Sequence, residues 1–269
     1  MKKIFYLVIP VMLCFYSRAW GESKAPVPGM CSHVEAVPNA VRKDYSLSAF
    51  YHKYVDANGI PVLSSDAPED KALLLACKLI VNMTSHRSDI LAKLQENHVR
   101  FAVIGKNEGT ADIPEYGYQN APPSKKQALN DRARGLGGQT TSCGEENLLC
   151  SVGDRYPNES ICVHEFGHSL PYALNKVEPD FLKRLKSAFN DAHSNGLLIK
   201  TYRDTNMDEY WAEGVQDWYN TNAKSDPPNG IHNKINTRQA LKTYDPKLYS
   251  LIAEALPKST DWGDCHVKP

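Results

Sequence analysis

His164-Glu165-Phe166-Gly167-His168 is the stretch on which the reading of this 269-residue chain turns. Side chains four positions apart share one face of a helix. Two imidazoles at that spacing can meet a single metal ion, with the glutamate between them directed toward a water held there. A catalytic zinc site normally has three protein ligands plus a water, so the motif predicts one Zn²⁺ per chain and requires a third ligand elsewhere. The three fixed letters also arise by chance, so the surrounding sequence has to decide.

A third histidine in the pattern H-E-x-x-H-x-x-G-x-x-H is missing, because Pro171 and Leu174 stand where its glycine and histidine would be. Downstream, Asp208-Glu209-Tyr210-Trp211-Ala212-Glu213 offers two glutamates on one helix face. Glu209 is expected as the third metal ligand. Glu213 is expected as the outer carboxylate that accepts a hydrogen bond from a ligating imidazole. A competing reading makes Asn206 and Glu209 an N-x-x-E helix cap, and the two readings exclude each other at Glu209.

The opening residues read as an export signal. Lys2 and Lys3 are followed by an apolar run from Ile4 to Tyr16 and by Ala19-Trp20-Gly21, with cleavage expected after Gly21. The apolar run is broken by Pro10 and falls short of the ~20 residues that span a bilayer, so a secreted, extracellular chain with no membrane partner is expected. Losing Lys2, Lys3 and Arg18 with that segment leaves 28 basic against 31 acidic residues, a net charge of −3. That balance gives no reason to expect nucleic acid or an anionic membrane as partner. Cys14 leaves with the signal, and the remaining Cys31, Cys77, Cys143, Cys150, Cys162 and Cys265 form an even set suited to three disulfides. Sequence does not choose among the pairings. A local Cys143–Cys150 loop with Cys31–Cys77 and Cys162–Cys265 is the expectation adopted. No C-x-x-C pair supports a cysteine zinc site. Asn82 and Asn158 head N-glycosylation sequons.

Residues 22–44 are rich in proline and small side chains and are expected to form an irregular arm tethered by Cys31, with one domain over 45–256 and a tail over 257–269. Asp70 to Asn82 and Ser88 to Glu96 read as helices, and Val99 to Ile104 as a buried strand ended by Gly105. From Asn107 to Gly138 the chain reads as loop. The glycines of Arg134-Gly135-Leu136-Gly137-Gly138 suit tight turns, since the lysine and serine or threonine of a phosphate-binding loop are absent. Ile161 to Leu174 is expected as one helix bent at Pro171, whose ring meets the carbonyl of Gly167. Pro179 can open a helix running through Phe181, Leu185 and Phe189 to Gly196. Asn206 caps another that contains Trp211 and Trp218, and Asp245-Pro246 starts the last.

With these segments in place, the chain resembles the lethal-factor-like peptidase domain, the C-terminal domain of anthrax lethal factor. The likeness is carried by His164-Glu165-Phe166-Gly167-His168, by Tyr202-Arg203-Asp204-Thr205-Asn206-Met207-Asp208-Glu209 and by Ala212-Glu213. Arg134-Gly135-Leu136-Gly137 and Glu145-Glu146-Asn147-Leu148-Leu149-Cys150 are similar to loops of exported, single-domain relatives. The likeness covers about Tyr45 to Leu256. It implies an α+β, zincin-like metallopeptidase fold of the gluzincin type, mainly helical with a small mixed sheet. It also implies zinc held by His164, His168 and Glu209, Glu165 as general base, and Tyr202 as a hydrogen-bond donor to the transition state. The toxin's substrate is not implied, because no receptor-binding or cell-entry domain accompanies the motif.

The resulting expectation is a secreted zinc-dependent endopeptidase acting on a peptide or protein substrate. Two alternatives remain at this level: a catalytically idle zinc-binding secreted interaction module, and a coincidental motif in a disulfide-stabilised domain. His33, His52, His86, His98, His193, His232 and His266 lack ligand spacing and are expected at the surface or as satisfied core positions. Ser160 and Cys162 do not make a nucleophile pair, since the cysteine is expected to be oxidised.

Overall fold

The computed structural model describes residues 30–268. The expected export signal and its cleavage point lie outside the described residues. Strand β1 (Glu35–Ala36) and helix α1 (Asn39–Asp44) fall in the stretch expected to be an irregular arm. They form because β1 adds to a sheet edge beside strand β2 (Lys53–Ala57), and the Cys31–Cys77 disulfide pins the segment. Strand β2 turns into β3 (Ile60–Ser64) through Asn58-Gly59, both with positive φ, the conformation a two-residue hairpin turn requires.

Helices α2 (Asp70–Thr84) and α3 (Ser88–Glu96) lead to strand β4 (Arg100–Ile104), as the apolar periodicity predicts. The stretch expected to be loop instead holds helix α4 (Pro123–Arg132), which Pro123 opens from its first turn. Only Leu129 of that helix is buried, so it lacks the apolar stripe that would announce it. Gly135–Leu136 then forms strand β5 where turns were expected, and β6 (Thr140–Gly144) follows. The six strands make one mixed sheet in the order β1-β2-β3-β4-β6-β5, with β3, β4 and β6 parallel and β5 antiparallel at the edge. Strands β3, β4 and β6 are buried along their whole length, as expected of strands covered on both faces. Phe101 and Val103 face the larger core, while Ala102 and Ile104 face a smaller one with Tyr51 and Ile113.

Helix α5 (Glu145–Leu149) is followed by α6 (Ile161–Gly167), α7 (Leu170–Val177), α8 (Phe181–Ser194), α9 (Met207–Trp218), α10 (Arg238–Tyr244) and α11 (Pro246–Ala255). The single bent helix expected over 161–174 is therefore two. Pro171 has no N–H for the Gly167 carbonyl, so the helix breaks at His168 and Ser169, and α7 restarts with the proline in its first turn. The released Gly167 carbonyl accepts a hydrogen bond from the Trp211 indole at 3.0 Å, which joins the break to α9. Trp211 and Trp218 are fully buried, each contributing on the order of 1.5–3 kcal/mol of apolar burial.

The disulfides are Cys31–Cys77, Cys143–Cys162 and Cys150–Cys265. The first is as expected. The other two correct the expected Cys143–Cys150 and Cys162–Cys265 pairs. Helix α5 fills the interval between Cys143 and Cys150, and Cys143 on β6 faces α6, where Cys162 stands with a Cα–Cα distance of 5.4 Å. Three disulfides suit an oxidising, extracellular setting. Among the described residues no helix is long and apolar enough to cross a membrane. Asn82 lies inside α2 with its amide donating to the Ser259 carbonyl, whereas Asn158 is exposed in a loop.

Candidate metal centre

Helix α6 carries His164 and stops one residue before His168, and two long-range ties hold it in place. The Cys143–Cys162 bond joins its first turn to the sheet. The Asn147 side-chain oxygen accepts from the backbone N–H of Ile161 at 2.9 Å, capping the helix from α5 rather than from its own N-terminal neighbour. Asn147 is in turn fixed by donating to the Glu159 carbonyl at 2.9 Å and to Asp154 at 3.0 Å. Arg134 and Glu146 form a buried two-pronged pair, Nε–Oε1 2.5 Å and Nη2–Oε2 2.9 Å. That pair joins the glycine-rich stretch to the segment that holds α6.

Three side chains converge on one point. The Nε2 atoms of His164 and His168 are 3.1 Å apart, and Glu209 Oε2 lies 3.0 Å from the first and 3.4 Å from the second. A tetrahedral zinc with bonds of about 2.0–2.1 Å would set its ligand atoms about 3.3 Å apart, so the donor set fits that ion in both type and spacing. Asn206 caps α9 by accepting from the N–H groups of Asp208 and Glu209 at 2.8 and 2.9 Å. The cap and the ligand position are thus compatible, since the Asn206 side chain supplies the cap and the Glu209 carboxylate turns to the imidazoles. Tyr202, in a 3₁₀ turn at Tyr202–Asp204, donates its hydroxyl to Glu209 Oε1 at 3.2 Å.

Burial works against protonating His164. The hydrogen bond it donates to Glu209 and the charges of Glu165, Glu213 and Glu209 outweigh burial and lift the pKa to about 10. Glu165, Glu209 and Glu213 thus concentrate negative charge around His164. Burial raises the Glu165 carboxyl, opposed by the two imidazoles. Burial and then the Glu209 charge push Tyr202 up to about 12, so its hydroxyl keeps its proton near neutrality and can donate.

Glu213 is not where the sequence predicts it. Its Oε1 lies 3.9 Å from His164 Nδ1, beyond hydrogen-bond reach. Its Oε2 is 3.1 Å from the Asn222 amide and 3.5 Å from the buried Arg203 guanidinium, which also binds Asp217 at 3.0 Å. The partner of His164 Nδ1 is Gln216 Oε1 at 2.8 Å. Gln216 carried no sequence signal beyond lying seven residues after Glu209, the same helix face. His232 joins Glu159 and Glu213 in a second cluster, and His266 is satisfied by Asp154 and Asp264. Cys150 and Cys265 also lie near His266, but they are bonded to each other.

The cluster forms the floor of a cleft of about 700 Å³. Edge strand β5 is one wall. A Cβ on Gly137 would stand 2.5 Å from that of His168, and one on Gly135 would meet the Ser142 carbonyl oxygen at 2.4 Å, so glycine is what lets this strand lie against the site. The rim carries Tyr172, Tyr202 and Ile231, three of the exposed large apolar side chains.

No protein-family model matches the chain, and no curated protein does. Among solved structures it is similar to the Pro-Pro endopeptidase from Paenibacillus alvei, at 18% sequence identity and a TM-score of 0.42, over 67% of this chain and 90% of that one. A likeness of that depth leaves the site to be read from this chain's own residues.

Proposed function

We propose that the protein is a secreted zinc-dependent endopeptidase, with His164, His168 and Glu209 as ligands, Glu165 as general base and Tyr202 as donor to the developing oxyanion. The observation that carries this is the triangle of ligand atoms, with edges of 3.0, 3.1 and 3.4 Å, on the floor of an open cleft. Zinc, when bound, lowers the pKa of a coordinated water toward about 7 and polarises the scissile carbonyl. Glu165 takes the proton from the attacking water and returns it to the leaving amine. The Tyr202 hydroxyl, already aimed at Glu209, turns to the substrate oxygen where negative charge develops. Strand β5 and the rim of Tyr172, Tyr202 and Ile231 suit an extended peptide with apolar side chains beside the cut. Asn158, exposed where Asn82 is engaged, is the sequon proposed to carry a glycan.

Metal analysis of the purified chain, followed by digestion of a broad peptide library with and without chelator, tests the reading. One zinc per chain and chelator-sensitive cleavage are expected. A blank digest despite bound zinc would favour the idle binding module, and a chain without metal would sink both.

A further inference from the structure

We propose that Gln216 is the positioning residue for His164, fixing which ring nitrogen carries the proton, and that Glu159 and His232 hold Gln216 in the orientation this needs. An imidazole presents one lone pair to a cation only if its other nitrogen keeps a hydrogen. The two ends of a primary amide differ little in shape, so their surroundings decide which way it points. Gln216 is fully buried, and its Nε2 lies 3.2 Å from Glu159 Oε2 and 3.2 Å from the Ser160 carbonyl. The backbone carbonyl accepts only, as does an ionised carboxylate, so the amino end must face them and Oε1 must face His164.

At 2.8 Å from His164 Nδ1, that oxygen can only accept, so Nδ1 carries the hydrogen. The lone pair is left on Nε2, the atom that faces His168 and Glu209. Turning the amide over would set oxygen against two oxygens and an amino group against an N–H, losing all three contacts. Glu159 is held in place from its other side by His232 Nε2, 3.4 Å from Oε1. The wire thus runs His232, Glu159, Gln216, His164. Glu213, at 3.9 Å and engaged by Arg203 and Asn222, supplies charge to this neighbourhood without setting the ring.

This inference rests on the metal reading above, and its test separates the two. Metal-free protein is titrated with zinc against a chromophoric chelator. Wild type should bind one zinc, and Gln216→Leu should bind one zinc about 10–100-fold more weakly. Exchanging the two groups, Gln216→Glu with Glu159→Gln, restores an acceptor for Nδ1–H at unchanged net charge but sets an oxygen against the Ser160 carbonyl, so it should recover part of that affinity. Because Gln216→Leu leaves buried groups unpaired and could fail to fold, the tautomer is also read directly in zinc-loaded wild type labelled with ¹⁵N-histidine. His164 Nδ1 should show a one-bond proton in slow exchange, and Nε2 none. A folded Gln216→Leu that binds zinc within about threefold of wild type, or a His164 Nδ1 proton that exchanges freely with water, overturns the proposal and leaves the metal reading standing. A wild type that binds no zinc ends both.

Discussion

Two clusters of imidazole and carboxylate draw on helix α9, and they differ in what surrounds their carboxylates. His164, His168 and Glu209 form the first, and Glu159, Glu213 and His232 the second; each brings its ligand atoms within 4.8 Å of one another. In the second, the protein supplies its own donors and cations. Arg203 and Asn222 engage Glu213, and Gln216 and His232 engage Glu159. In the first, no lysine or arginine among the described residues lies within ion-pair distance of Glu209, and the only donor to its Oε1 is the neutral hydroxyl of Tyr202. Composition and proximity nominate a cation site. What separates the two is that the first gathers convergent metal-type donors with no lysine or arginine beside them, whereas the second is built around the Arg203 guanidinium.

The largest expected effect tests what the first cluster does. Glu165→Gln keeps the three ligands and removes the base, so cleavage should fall about 10²–10⁴-fold while zinc stays at one per chain. Full activity in that variant would refute the assigned role. Next, Glu209→Ala should weaken zinc binding by more than about a hundredfold, beyond the effect of an outer partner. His232→Gln, at the other cluster, should leave the zinc count at one. Equal losses in the two variants would erase the distinction between the clusters.

Removing the built-in cation probes the second cluster from the opposite side. The Arg203 side chain is buried against Asp217 and Glu213, and Arg203→Met leaves both carboxylates without it. Breaking a buried ion pair in this way costs about 3–5 kcal/mol, readable as a shift in the urea midpoint at unchanged slope. A variant as stable as wild type would show that Asn222 and solvent suffice.

How much of this was legible in the sequence follows from the range of each interaction. His164 with His168 and Glu209 with Glu213 are helical spacings, so local periodicity places each pair on one face. Tyr202, seven residues before Glu209, is reached only through the sequence resemblance to the lethal-factor-like domain. Gln216 was not legible, because its partner lies 52 positions earlier on another helix. Glu213 differs from its expected role for a nearer reason. Its spacing put it on the right face, while Arg203 and Asn222, contributed by flanking turns, decided what it binds. Helix α4 escaped notice because it buries little, and the α6–α7 break because a proline kink and a restart look alike until Trp211 is seen to take the freed carbonyl. The two mispaired disulfides likewise depend on which elements the fold brings together.

The smallest effect concerns pH, where the two clusters should respond in opposite senses. Zinc displaces the proton of His164, whose pKa is raised to about 10, so stability conferred by the metal grows as pH rises toward that value. His232 behaves otherwise. Burial opposes its charge, but the hydrogen bond it donates to Glu159 and then the charges of Glu159 and Glu213 outweigh burial and the repulsion from Arg203, and its pKa is raised. A folded pKa above the unfolded value of about 6.5 gives stability that is full below that pH and fades as pH climbs through the raised value. With zinc in excess, His232→Gln should therefore be less stable than wild type by about 1 kcal/mol at pH 6, or about 2–4 °C in melting temperature. The gap should narrow steadily toward pH 8.5. His266, also raised, to about 9, titrates alike in both proteins and cancels from the difference. A gap that stays constant with pH would mean that His232 contributes packing alone, and that Glu159 is held by geometry rather than by charge.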